Sequence, residues 1–117
     1  MKRFAKSLSH ALRGFKVALQ EEPNLRIHCV IGLLVILASI YFQITRVEFF
    51  FVAFAIVLVL VAEIINSIFE RMLDMLKPGV NEYVKDMKDI MAAVVVIVVA
   101  FAIAIGVVVF VPYLNML

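Results

Sequence analysis

The sequence predicts an all-α membrane protein: three transmembrane helices preceded by an N-terminal amphipathic interfacial helix, in a single domain spanning residues 1–117. Three observations predict it. Hydrophobic residues make up 66% of the chain and the mean hydropathy is +1.13, well above a soluble composition. Long runs without charge recur, such as Phe49 to Ala62. The basic residues gather on one side of those runs.

Residues 2–21 carry the first helix. Phe4, Leu8, Ala11, Leu12, Phe15 and Leu19 recur at helical spacing, with Lys2, Arg3, Lys6, Arg13 and Lys16 between them. A helix of this kind lies in the membrane interface with its cations toward lipid phosphates. It can serve as an anchor or take part in handling a substrate. Gly14 allows a bend or a close helix contact. Glu21-Glu22-Pro23-Asn24 breaks the pattern: proline disfavours a helical residue before it, so Glu22 falls at a turn and Pro23 opens the next helix.

The first span runs from Ile27 to Tyr41 or Phe42, with Arg26 and His28 at its mouth, able to snorkel. His28 by itself reads as an interfacial hydrogen-bonding residue, and Cys29 as a small buried hydrophobe. Residues 43–46 make a short turn, so the first and second spans are antiparallel neighbours. The second helix runs from Val47 to Leu76, about 45 Å at 1.5 Å per residue. The hydrocarbon takes only about 30 Å, so its last turns protrude, leaving Glu70 and Asp74 in the interface and Glu63 about 10 Å deeper. Lys77-Pro78-Gly79 ends it, and Val80 to Asp89 is expected as a short polar connection. The third span runs from Ile90 to Val111, bounded by Pro112, with Ala92, Ala93, Ala100, Ala102, Ala104 and Gly106 small enough for close helix contact. No cleaved targeting segment is expected.

Six basic residues precede the first span, from Lys2 to Arg26, and Arg71, Lys77, Lys85 and Lys88 lie between the second and third. Arg46 alone lies on the other side. The positive-inside rule therefore puts the N-terminus and the second loop in the cytoplasm of a multi-pass protein.

The chemistry concentrates after Ala62. An acid such as Glu63 costs on the order of 3 kcal/mol at mid-span on insertion scales. On a helix, Glu63 and Glu70 fall within roughly 20° of each other, and Asn66 and Asp74 within about 60° of Glu63. The result is one polar stripe opposite Ile64, Ile65, Ile68, Phe69, Met72 and Leu73. On the predicted topology Glu22, Glu70, Lys88 and Asp89 share its level. Mg²⁺ is commonly held by one or two carboxylates plus phosphate oxygens and waters, which Glu22 and Glu70 can supply. Lys88 can neutralise a transferring phosphate, and a desolvated Glu63 suits the acceptance of a hydroxyl proton. Rival motifs are missing: four glycines assemble no phosphate loop, and His28-Cys29 has no second pair to complete a zinc site. A net charge of +2 gives no case for nucleic acid as a partner. Two non-enzymatic readings remain, a small membrane protein using the stripe for assembly or proton movement, and a small multidrug-type transporter. The latter is weaker, because the first span has no acid.

The same residues carry a resemblance. Ala11-Leu12-Arg13-Gly14-Phe15-Lys16, Glu22 to His28, Glu63-Ile64-Ile65-Asn66-Ser67-Ile68-Phe69-Glu70 with Asp74, and Lys88-Asp89-Ile90-Met91-Ala92-Ala93 are similar in order and spacing to the small prokaryotic diacylglycerol kinase and undecaprenol kinase family of membrane enzymes. The E-x-x-N-[ST]-x-x-E segment followed by K-D-x-x-A-A is specific, and the similarity covers nearly the whole chain. The resemblance implies a lipid kinase of the bacterial cytoplasmic membrane that requires ATP and Mg²⁺, and a homotrimer with sites shared between subunits. It implies Glu63 as general base, also touching the lipid substrate with Arg13, and Glu22 and Glu70 as metal ligands. Arg3, His10, Glu22, Glu70, Lys88 and Asp89 are implied in nucleotide binding, with Asn66 and Asp74 supporting. His10 stands where one branch has tyrosine, and the loop Gly79 to Asn81 lacks the tyrosine and histidine some members carry. The form Glu22-x-Asn24-x-Arg26-Ile27-His28 looks more like the undecaprenol branch.

Overall fold

The computed structural model describes residues 1–76 and 82–117. Among them the chain forms four helices, α1 (Lys2–Glu21), α2 (Pro23–Phe42), α3 (Arg46–Leu76) and α4 (Glu82–Leu114), and no strand. The last three are long and apolar enough to cross a membrane, so the predicted architecture stands.

The junctions follow local rules. Glu22 adopts extended backbone (φ −115°, ψ 101°), the conformation that the following proline demands, and Pro23 occupies the first turn of α2. α2 ends at Gln43 in the left-handed region (φ 52°, ψ 52°), where the amides of Gln43 and Ile44 donate back to the carbonyls of Ile40 and Ser39. α3 begins with a reciprocal cap: the Thr45 amide donates to Glu48 Oε1 (2.9 Å) and the Glu48 amide donates to Thr45 Oγ1 (3.2 Å). The Thr-x-x-Glu spacing of Thr45 and Glu48 thus satisfies helix-end donors that the second span's lipid surroundings could not.

Ring contacts and ion pairs fix the topology. Phe42 meets Phe110 and Tyr113 at one end, and Tyr113 donates its hydroxyl proton to Glu48 there. At the other end Glu22 meets Ser67 and Arg71, and Lys88 meets Asp74. The helices are therefore antiparallel in sequence order, with α1, the C-terminal end of α3 and the N-terminal end of α4 at the same end. α3 is the central element. Its buried residues Val52, Ala55, Val59, Ala62, Glu63 and Ser67 recur at three- and four-residue steps, the seam expected of helices packed nearly antiparallel. Gly32 of α2 meets that seam: a Cβ there would stand 3.1 Å from Ile56 Cγ2, so glycine permits the approach.

Three expectations need correction. Residues 82–89 belong to α4 and are not a connection; residues 80 and 81, the Lys77-Pro78-Gly79 stop and the loop Gly79 to Asn81 lie outside the described residues. Alternating acids and bases in that stretch tolerate a solvated helix, and Glu82 suits its N-terminal turn. Pro112 sits inside α4, which continues to Leu114, because a proline so near the C-terminus removes one bond from a turn that is already fraying. Gly14 makes neither a bend nor a close contact: α1 is continuous, and nothing lies within 4 Å of a Cβ placed there. Of the small residues of α4, Ala92, Ala93, Ala100 and Ala104 are exposed, while Ala102 and Gly106 line an apolar cavity between the helices.

Candidate functional site at the α1 end of the bundle

The polar residues of α3 near its C-terminus occupy about 140° of the helix surface, from Asn66 through Glu70, Glu63, Asp74 and Ser67 to Arg71. Two neighbours border this face. α2 closes on it along one seam and α4 along the other.

The α2 seam is built from Glu22 and His28. Glu22 is positioned at both backbone ends: its amide donates to the Ala18 carbonyl (2.9 Å), and its carbonyl accepts from the Arg26 amide (3.3 Å). Arg26, expected to snorkel, instead donates from Nη1 to the carbonyls of Leu19 (2.9 Å) and Gln20 (2.8 Å), capping the end of α1. The Glu22 carboxylate, half-buried, accepts from Ser67 Oγ (2.7 Å) and Arg71 Nη2 (3.0 Å). The Ser67 hydroxyl, and after it the Arg71 guanidinium, holds the Glu22 carboxyl below its usual range, so it stays anionic. Arg71 also reaches Glu21 Oε2 at 3.7 Å. Deeper along the seam, Glu63 is buried, at 8% exposure, and His28 Nε2 stands 3.2 Å from its Oε1.

The α4 seam joins Asp74 and Lys88, whose ammonium donates to Asp74 Oδ1 at 2.6 Å and also feels the charge of Glu70. Glu70 itself is exposed; Asn66 Nδ2 approaches its Oε1 at 3.5 Å, at the limit of a hydrogen bond.

Glu22, Asn66, Glu70, Asp74 and Lys88 therefore border one face at one end of the bundle, with Glu63 beneath them. Asp89 follows Lys88 in an exposed position. Arg3, His10 and Arg13 lie on α1, all exposed, at about 28, 18 and 14 Å along the helix axis from Glu22. Within one chain, among the described residues, no three His, Cys, Asp or Glu side chains stand close enough together to hold a metal ion. The sequence alone gives Ser67 only a place in the motif, Arg71 only a place among the basic residues of the cytoplasmic side, and His28 only an interfacial hydrogen bond. Their spacing held the signal: Glu63, Ser67 and Arg71 are four residues apart and share one helix face.

Between α2, α3 and α4 lies an apolar cavity of about 270 Å³. Gly32, Val59, Ala102, Gly106 and Phe110 are among its walls, and His28, at one end of the α2 segment, is its polar lining residue. The cavity thus ends at the group that touches Glu63.

The family model for prokaryotic diacylglycerol kinase matches residues 9–110. The chain belongs to this family. It is accordingly a multi-pass membrane protein and a lipid kinase of the diacylglycerol/undecaprenol kinase type. A search of curated proteins finds no significant match. The matched segment of the kinase includes both seams, from Glu22 and His28 through Glu63 and Asp74 to Lys88 and Asp89.

Proposed function

We propose that this kinase transfers the γ-phosphoryl group of ATP to the hydroxyl of a membrane lipid at the cytoplasmic interface, with undecaprenol the first candidate and diacylglycerol the second. The observation that carries the reading is the buried Glu63 carboxylate beside an apolar cavity whose polar end is His28. A lipid chain fits apolar walls, and its hydroxyl then meets an acid able to take a proton. Glu63 accepts the hydroxyl proton as the lipid oxygen bonds to the γ-phosphorus and the bond to the β-phosphate oxygen breaks, leaving ADP with the electron pair.

The donor chemistry fits Mg²⁺. Glu22 is kept ionised by Ser67 and Arg71, and Glu70 offers an exposed carboxylate beside Lys88. These two acids would hold the ion together with phosphate oxygens and waters. Bound Mg²⁺ would neutralise charge on the β- and γ-phosphates. Lys88 supplies a further positive charge to the transferred group, while Asp74 orients the Lys88 ammonium and Asn66 the Glu70 carboxylate. Arg3, His10 and Asp89 would contact nucleotide and Arg13 the lipid headgroup. Because Arg3 and His10 stand far along α1 from Glu22, a homotrimer in which a neighbouring subunit's α1 completes each site accommodates these roles. The excess of basic residues at the α1 end supports a bacterial inner-membrane orientation with the N-terminus in the cytoplasm.

The test uses purified protein, labelled ATP and mixed micelles containing either undecaprenol or diacylglycerol. Labelled lipid is expected, faster with undecaprenol, and Glu63→Gln should lower turnover by roughly a hundredfold or more while leaving the helical content unchanged. Undiminished turnover by that variant would remove Glu63 as the base, and label on neither lipid would remove the kinase reading.

A further inference from the structure

We propose that His28 is a positioning residue for the reaction, holding the Glu63 carboxylate by one oxygen so that the other is aimed at the lipid hydroxyl. The inference rests on the proposed kinase reading and adds a residue on a different helix from the base.

The argument begins with what a lone glutamate does in an apolar seam. Glu63 is preceded by an uncharged run and flanked by Ala62 and Ile64. Three rotatable bonds leave its carboxylate many orientations, and burial makes an unpartnered orientation costly. His28 removes that freedom. Its Nε2 stands 3.2 Å from Oε1, near enough for a proton on Nε2 to be donated to the carboxylate. The imidazole is itself braced: α2 carries it six residues beyond Glu22, whose contacts with Ser67 and Arg71 lock α2 against α3 at the same seam. Four residues further along α2, the close approach of Gly32 to Ile56 locks the seam on the other side.

The placement also suits the substrate. His28 lines the apolar cavity, whereas Glu63 lies behind it against α2. A hydroxyl arriving from the cavity therefore passes the imidazole before it reaches the acid. With Oε1 bound by the Nε2 proton, Oε2 is the oxygen left to take the hydroxyl proton. The lipid O–H bond breaks, the proton passes to Oε2, and the oxygen's electron pair forms the new bond to the γ-phosphorus as the bond from that phosphorus to the β-phosphate oxygen breaks and the nucleoside diphosphate leaves with its electron pair. His28 keeps its own proton throughout. A positioning role of this kind acts on the chemical step and leaves nucleotide affinity alone.

The experiment compares His28→Gln with His28→Asn in the mixed-micelle assay. A glutamine amide nitrogen reaches the position of Nε2, whereas an asparagine amide stops short of it, so the two variants share polarity and differ in reach. The expected result is kcat within about threefold of wild type for Gln, and a loss of roughly ten- to a hundredfold for Asn, the scale of one hydrogen bond to a charged group. KM for ATP should be unchanged in both. Helical content by circular dichroism identifies the folded variants, with His28→Ser replacing Asn as the short polar side chain if Asn does not fold. An active wild type whose short-chain variant keeps full kcat, or whose Gln variant falls as far as the short one, overturns the positioning role alone. A wild type that labels no lipid overturns the kinase reading and this role with it.

Discussion

The two ends of the bundle contain similar chemistry and use it differently. At the Phe42 end, Glu48 accepts from the Thr45 amide and from the Tyr113 hydroxyl, so one carboxylate closes the start of α3 and ties α4 to it. Phe42 packs on Phe110 and Tyr113 over the same spot. The polar groups there are spent on one another. At the α1 end the acids are distributed over two seams, Glu22 and Glu63 toward α2, Asp74 toward α4, with Glu70 exposed between them. The same side-chain types build a clasp at one end and a face able to receive a charged ligand at the other. The difference lies in how the carboxylates are spread: at one end a single acid takes both the adjacent amide and the hydroxyl from α4, whereas at the other four acids are divided between two seams and an open face.

The largest effect that would sharpen this contrast comes from Glu70→Ala. Removing the exposed carboxylate should raise the Mg²⁺ concentration needed for half-maximal transfer by roughly ten- to a hundredfold, with little change in unfolding temperature. A magnesium titration of lipid phosphorylation checks it, and an unaltered titration would withdraw Glu70 as a ligand. At the opposite end, Thr45→Ala should do the reverse. Loss of the cap should cost about 1 kcal/mol in reversible unfolding from detergent, with turnover of the folded fraction preserved.

Acid should probe the Glu22 seam directly. The Glu22 carboxyl in the folded protein is held below its ordinary value of 4.5, chiefly by Ser67 and then by Arg71. Its contribution to stability is therefore complete above that ordinary value and is lost as the pH falls through the lower folded value. Glu22→Gln should flatten the acid limb of the stability profile, measured by thermal unfolding across pH. A limb of unchanged steepness would show that the contact with Ser67 and Arg71 does not carry the acid response. The smallest expected effect is at Gln43, whose left-handed backbone suits glycine. Gln43→Gly should be neutral to stabilising, by up to ~1 kcal/mol, without effect on transfer.

Much of this was legible in the residues. The spans were readable because lipid leaves an apolar run of that length no alternative to helix, and Pro23 marked the α1–α2 junction through its effect on Glu22. The stripe from Glu63 to Asp74 was readable because helical periodicity is a property of one segment. The start of α4 at Glu82 is not legible, since a charged amphipathic stretch and a polar loop have the same composition. The cap of Thr45 and Glu48 is legible from its three-residue spacing, although it lies within a stretch that composition marks only as a short turn.

What the sequence determined by itself is everything carried by local order: where the apolar runs lie, which side of α3 is polar, and the motif that marks the kinase family. What only the tertiary structure decided is pairing. That His28 holds Glu63, that Ser67 and Arg71 hold Glu22, and that Lys88 turns to Asp74 are contacts between helices. Helical periodicity fixes the direction of a side chain relative to its own axis, whereas a partner across a seam depends on the rotation and register of two helices together, which the close contacts along α3 set.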